Sequence, residues 1–305
     1  MHWPSILLYI SSSFMIVIFN KIVLTVFSFT SVPFIMLVQS IFTAVVFLLR
    51  CTPLGKPTKE VALACFFNVA NVFFGLSAAA ALNIAMFTAL RRISIFMTML
   101  AQYYFLGAPL HKNVFWSVVI MIFGSYVAAL NDLTFSPSGY AYVMMNNILT
   151  MAAQIQTKRA LQQHHTKTSI LFWTSILNIC VSGVSLIQWD PSSFGAWNES
   201  AFQFAFACSI CLGFLINYGA AWTIEKNDAL TLAVGGSTKS AIMGLMVVAG
   251  LFDRTYVFSW WNFVGLQIST TGSFLYVYYR HKQSRSGITA EHSDATPTQN
   301  RVIHV

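Results

Sequence analysis

Charge is what this chain has least of. Asp, Glu, Lys and Arg together make up 9% of its 305 residues, against about 25% in a soluble domain. Acids are scarcer than bases, nine against 17. So few charges cannot cover a water-facing surface of ordinary size, which excludes a soluble globular class. Nucleic-acid binding is set aside too, because it calls for a clustered basic face on a soluble element. Cysteines are few and odd in number: Cys51, Cys65, Cys180, Cys208 and Cys211. They read as small apolar-segment residues, not as a disulfide framework. Cys208 and Cys211 form a CxxC with no second pair nearby, which makes neither a metal nor a redox site. The apolar segments hold no acid/base pair, metal cluster or nucleophile constellation. No enzyme chemistry, metal or cofactor is expected.

What is there is hydrophobic: 56% of residues, with a mean hydropathy of +0.66. A closed β-barrel would show short alternating segments. Here the apolar runs are near-continuous and about 20 residues long, the length of a helix crossing a bilayer. The fold class is therefore an all-α membrane protein. Its ten transmembrane helices are expected at 4–27, 29–50, 60–82, 83–106, 112–131, 137–161, 169–189, 201–223, 229–251 and 256–279. The first lacks a basic flank and a small-residue cleavage site, which argues against a removed signal peptide. From His281 the composition turns polar, and residues 281–305 read as a disordered cytosolic tail. With the amino terminus in the cytosol, twelve of the 17 cations fall on that side, among them Lys112, Lys158, Lys226 and Arg280. Only Lys21 and Arg254 lie near the opposite surface. The positive-inside rule then puts both termini in the cytosol. The opposite side carries Asp132, Asp190, Glu199, Asp253 and the glycosylation sequon Asn198-Glu199-Ser200.

Three cations remain, and they lie inside apolar segments. Arg91 and Arg92 interrupt ALNIAMFTALRRISIFMTMLAQYYFLG, and Lys239 interrupts NDALTLAVGGSTKSAIMGLMVVAG. An ionised side chain at membrane depth costs at least about 2.5–3.5 kcal/mol. With no acid at similar depth, the cluster points to an anionic substrate. The alternative is snorkelling to a headgroup region, which a mid-segment position disfavours.

The two halves of the chain match. Setting Arg91 against Lys239 also sets Ala81-Leu82 against Ala229-Leu230 without a gap. The same register sets Gly124-Ser125-Tyr126 against Gly272-Ser273-Phe274. A separate register pairs Lys21 with Lys158 and Leu24 with Leu161. Two repeats are expected, 1–132 and 133–280. Five spans is an odd number, so the copies run in opposite senses. Inverted repeats are the build of alternating-access transporters, with the site near the midplane.

The chain resembles the nucleotide-sugar transporters of the drug/metabolite transporter superfamily. The likeness lies in SILLYISSSFMIVIFNK of the first span, MFTALRR of the fourth and NYGAAW of the eighth. GGSTKS stands where GDP-mannose transporters carry GALNK, and FWTS where they carry FYNN. The resemblance implies roles. Tyr9 faces the sugar. Phe172, Trp173, Thr174 and Ser175 read the base, with Asn217 and Tyr218 beside it. Gly235, Gly236, Ser237, Thr238 and Lys239 approach the ribose and phosphates. The chemistry fits: paired glycines allow close approach, and a diphosphate needs several cationic donors, Arg as a fork and Lys as a point charge. Other readings stay open. Gly235-Gly236 also suits a close helix contact, and Trp173 suits an interface belt. Lys21 and the pair Asn146-Asn147, which suits interhelical hydrogen-bond glue, stay outside the site.

The expected function is antiport across the Golgi or endoplasmic reticulum membrane. A cytosolic nucleotide sugar, UDP-linked in preference to GDP-linked, exchanges for a nucleoside monophosphate. Arg91, Arg92 and Lys239 bind the phosphates. The partners are these ligands and the lipid bilayer, with a homodimer left open. The alternatives are an exchanger of phosphorylated sugars or other organic anions, and a non-transporting membrane scaffold.

Overall fold

The computed structural model describes residues 1–29, 31–50, 55, 57–82, 87, 90–129, 137–187, 194–236 and 260–294. Among these residues there is no strand. The helices are α1 (Trp3–Lys21), α2 (Val32–Leu49), α3 (Lys59–Ala81), α4 (Ile93–Leu106) and α5 (Lys112–Ala129). They continue as α6 (Pro137–Gln162), α7 (Lys167–Ser185), α8 (Ser200–Lys226), α9 (229–236) and α10 (Trp260–Asp294). Four of these are long and apolar enough to cross a membrane: α1 extended to Leu24, α2, α7 and α8. The helical backbone of α10 runs to Asp294, and residues 295–305 of the expected tail lie outside the described residues.

Local chemistry sets the helix ends. Ser31 accepts from Phe34 N–H at 3.3 Å to start α2. Thr166 does the same for Ser169 at 3.3 Å at the start of α7. Such caps are worth about 1 kcal/mol each. Gly107, at φ +63°, closes α4 in the left-handed conformation that glycine adopts without strain. α1 loosens into a π-turn over Ile22–Val26 before the chain reverses.

The helices pack in pairs: α1 on α8, α3 on α6, α2 on α7 and α5 on α10. The last pair meets through small residues. A Cβ on Gly124 would lie 2.7 Å from the Gly265 carbonyl oxygen, and one on Gly272 would lie 2.8 Å from Met121 N. Ser269 donates to the Met121 carbonyl at 3.0 Å across the same seam. Close backbone approach of this kind substitutes for the hydrophobic drive that lipid removes.

The two ends of the bundle differ in chemistry. One end is polar and gathers His2, the ends of α6 and α8, and the starts of α7 and α9. His2 N–H donates to Asn227 Oδ1 at 2.8 Å. Lys158 Nζ donates to the carbonyls of Ile224 and Asn227 at 2.7 and 2.8 Å. Lys167 pairs with Glu225 at 2.7 Å, and Arg280 pairs with Asp228. The Trp3 ring meets His281 at 5.8 Å, so the amino terminus and the region after residue 279 share this end. The other end is aromatic. Phe29 sits among Phe194, Trp197 and Phe202, with ring centroids at 4.9, 5.7 and 5.8 Å.

Candidate functional site

Between the ends lies a cavity of about 360 Å³. α2, α3, α6, α7 and α8 form its wall, with Leu232 of α9. Its lining is rich in amides and hydroxyls: Gln39, Ser40 and Thr43; Asn68 and Asn71; Thr150, Gln154 and Thr157; Thr174, Ser175 and Asn178; and Asn217. Among the described residues, no charged side chain lines it.

Of the residues predicted to read a base, three line this cavity: Thr174, Ser175 and Asn217. Each spends a donor on its own helix. Thr174 Oγ1 donates to the Ile170 carbonyl at 2.8 Å, Ser175 Oγ to Leu171 at 2.8 Å, and Asn217 Nδ2 to Gly213 at 2.9 Å. Thr174 and Ser175 keep acceptor oxygen for a ligand, and Asn217 keeps its Oδ1 and one N–H. Phe172, Trp173 and Tyr218 lie elsewhere. Phe172 packs with Ala44 and Phe47. Trp173 donates its indole N–H to the Gly55 carbonyl at 3.1 Å. Tyr218 stacks on Phe214 at 5.9 Å, with Lys167 over its ring at 5.6 Å.

A second group forms around Tyr9 of α1. Gly219 of α8 lets the Tyr9 backbone approach, since a Cβ there would stand 3.1 Å from it. Gly235 and Gly236 of α9 lie under the Tyr9 ring, at 3.5 Å from ring carbons and 3.2 Å from the hydroxyl by the same measure. The paired glycines therefore serve a close helix contact, and they bring Tyr9 to the segment that leads into Ser237, Thr238 and Lys239. Those three residues lie outside the described residues. Arg91 is within electrostatic range of Tyr9. Its guanidinium is exposed, lies 5.5 Å over the Phe87 ring, and has no carboxylate partner among the described residues. Arg92 points differently. It is 4% exposed, and its Nε has no hydrogen-bond partner. Neighbouring helix positions differ by about 100° of rotation, so the two guanidinium groups do not share a face.

Several functional candidates carry no sequence signal. Gln39, Asn68, Asn71, Gln154 and Asn178 are amides scattered through the helices, and only their tertiary placement sets them apart. Asn146 and Asn147 bond between helices: Asn146 Nδ2 donates to the Asn71 carbonyl and to Asn71 Oδ1, both at 2.7 Å. Asn147 Nδ2 donates to the Leu90 carbonyl at 2.9 Å, which holds the turn that bears Arg91.

Apolar helices wrapped round an interior polar cavity are the build of a membrane carrier. The chain belongs to the Triose-phosphate Transporter family, which it matches over residues 5–277. It is 34% identical to the UDP-sugar transporter UST74c of Drosophila melanogaster, over 97% of this chain and 82% of that one. It is 33% identical to the human nucleotide sugar transporter SLC35D2, over 90% and 85%. Identity to the UDP-sugar transporter sqv-7 of Caenorhabditis elegans is 31%, over 91% and 88%. A solved crystal structure at 14% identity shares the fold, with a TM-score of 0.65 over 93% of this chain and 99% of that one.

Proposed function

We infer that this protein carries nucleotide sugars across an internal membrane. The observation that carries the reading is Arg91, a guanidinium within an apolar stretch with no acidic partner among the described residues, in a chain whose helices also enclose a cavity lined with uncharged polar groups. A ligand with a phosphate at one end and hydrogen-bonding groups at the other matches that division. The relatives named as UDP-sugar and nucleotide sugar transporters support it. In the finer reading, a cytosolic UDP-sugar exchanges for luminal UMP at the Golgi or endoplasmic reticulum. Arg91 and Lys239 hold phosphate, Arg92 pointing away from Arg91, and both termini stay in the cytosol. The shared end of Trp3 and His281 supports that topology. The helix pairing supports two inverted five-helix repeats. Replacing each helix by the one five places away turns the α1–α8 pair into α6–α3 and leaves α2–α7 and α5–α10 unchanged.

Counterflow in proteoliposomes against a panel of nucleoside monophosphates tests the reading. UMP is expected to drive exchange better than GMP, because MFTALRR and GGSTKS resemble the UDP-sugar branch and FWTS lacks the asparagine pair linked to guanine. GMP winning by more than about tenfold would overturn the base preference, since apolar fit alone discriminates about 10–200-fold. A thermal melt supplies a second check. A monophosphate should stabilise the purified protein and the free nucleoside should not. A ligand bound only to the folded state adds about 2.7 kcal/mol at a hundredfold excess over Kd. Equal stabilisation by nucleoside and nucleotide would argue against a phosphate-centred site.

A further inference from the structure

Two asparagines one helical turn apart on α3 face the cavity with opposite polarity. Asn68 Nδ2 donates to the Ala64 carbonyl at 2.9 Å. Turning the amide over would set oxygen against oxygen, so Oδ1 keeps its place as the acceptor of this side chain, with the second N–H of the same amide beside it. Asn71 is locked the other way. Its Oδ1 accepts from Asn146 Nδ2 at 2.7 Å, and Thr150 Oγ1, whose one proton is shared with the Asn146 carbonyl at 2.7 Å, stands 2.6 Å from the same oxygen. The Asn146 bond fixes Oδ1 on that side, and what remains for the cavity is the Nδ2 donor. Asn146 is 1% exposed, so it holds Asn71 from behind without reaching a ligand. The lock has its own accommodation: a Cβ on Gly75 would stand 2.9 Å from Asn146 Nδ2.

A locked donor next to a locked acceptor discriminates only between groups whose own polarity is fixed. A sugar hydroxyl rotates to donate or accept, so it gains nothing from the lock. A phosphate oxygen accepts only, so it finds no partner in Asn68 Oδ1. The edge of a nucleobase does have fixed polarity. Uracil and guanine present a ring N–H beside a carbonyl oxygen. Cytosine and adenine present a bare ring nitrogen beside an amino group, which is the reverse. Asn68 and Thr174 belong to one wall, because Thr174 Oγ1 touches Cys65 Sγ at 3.2 Å and Cys65 lies one turn before Asn68.

We propose that Asn68 and Asn71 read the lactam edge of the base: Asn68 Oδ1 accepts the ring N–H, and Asn71 Nδ2 donates to the adjacent carbonyl. Uracil and guanine are selected together against cytosine and adenine. This rests on the nucleotide-sugar reading above and adds the residues that set base class. Asn146 and Thr150 act as positioning residues for Asn71.

The test is the Kd of the full-length purified protein for UMP, GMP, CMP and AMP, measured by thermal shift in detergent. The unliganded melt of each variant reports its folding. Wild type is expected to bind UMP and GMP at least about tenfold more tightly than CMP and AMP, because a mismatched pair leaves a polar group unpaired or opposed. Asn71→Asp keeps a carboxylate oxygen for the locking bond and changes the cavity-facing atom from donor to acceptor; its added negative charge weakens every nucleotide alike, so the readout is the ratio between bases. The UMP-to-CMP and GMP-to-AMP preferences should each fall by about tenfold or more. Asn146→Ala, which cannot touch the ligand, should shrink the UMP-to-CMP ratio by freeing the Asn71 amide to turn. An equal loss for all four nucleotides in Asn71→Asp would assign the donor to ribose or phosphate and overturn the proposal. No change in either variant would overturn it as well. If wild type binds none of the four, the nucleotide reading itself fails, and that outcome is distinct from both.

Discussion

Proteoliposomes carrying Arg91→Ala are expected to lose nucleotide exchange by at least about thirtyfold, at normal protein yield. Removing one side of a desolvated charge pair costs about 2–5 kcal/mol, and Arg91 has no carboxylate among the described residues to take over its role. Insertion should not suffer, because deleting an interior cation relieves a cost that the membrane imposes. Arg91→Lys should recover part of the activity, since it keeps the charge but loses the two-pronged fork. Lys239→Ala is expected to behave like Arg91→Ala, on the register that pairs the two positions in sequence. Exchange at wild-type rate by either alanine variant, at matched protein level, would remove that residue from the site.

Gly265→Val should prevent a stable fold without touching the cavity. A Cβ at Gly265 would lie 2.5 Å from the Gly124 carbonyl oxygen and closer still to Ala128 N. Both obstacles are backbone atoms, which cannot move aside by changing rotamer. Overpacking of flexible side chains costs about 1–3 kcal/mol, and a backbone clash should exceed that range. The measurement is the detergent melt, with the monodisperse fraction after extraction. Gly55→Ala is the control, because nothing lies within 4 Å of the added carbon. A Gly265→Val melt within a few degrees of wild type would mean that the α5–α10 seam can open at little cost.

The sequence shows most of the helices and little of the cavity. α3, α5 and α6 begin at Lys59, Lys112 and Pro137, within a residue of where the apolar runs start, because membrane length and flanking charge constrain those ends directly. Asn71 and Asn146 show the limit. Each is an asparagine with a second amide close by in its own helix, Asn68 and Asn147, and composition cannot separate them. One lines the cavity and the other is sealed behind it, and only the direction of the bond between them tells which is which. Phe172 and Trp173 show the same limit from the other side. Their motif sits beside two cavity-lining residues, but α7 turns the aromatic pair toward α2 and the Gly55 segment. Arg91 was visible because a charge in an apolar run is costly wherever it points. That Arg92 points elsewhere follows from helix rotation, but which of the two would face Tyr9 does not.

The unlike ends of the bundle bear on rates. An exchanger that consumes no energy obeys detailed balance, so asymmetric mouths cannot pump; concentration gradients alone set the net direction. Asymmetry can still divide the kinetics. The mouth bearing Lys158, Lys226 and Arg280 attracts an approaching anion through long-range Coulomb steering, and that advantage shrinks as salt shortens the Debye length. The end that carries Phe29, Phe34, Phe194 and Trp197 presents packed aromatic rings, whose electron-rich faces do not attract anions. In the proposed exchanger, capture from the polar side should therefore depend on ionic strength more than capture from the aromatic side.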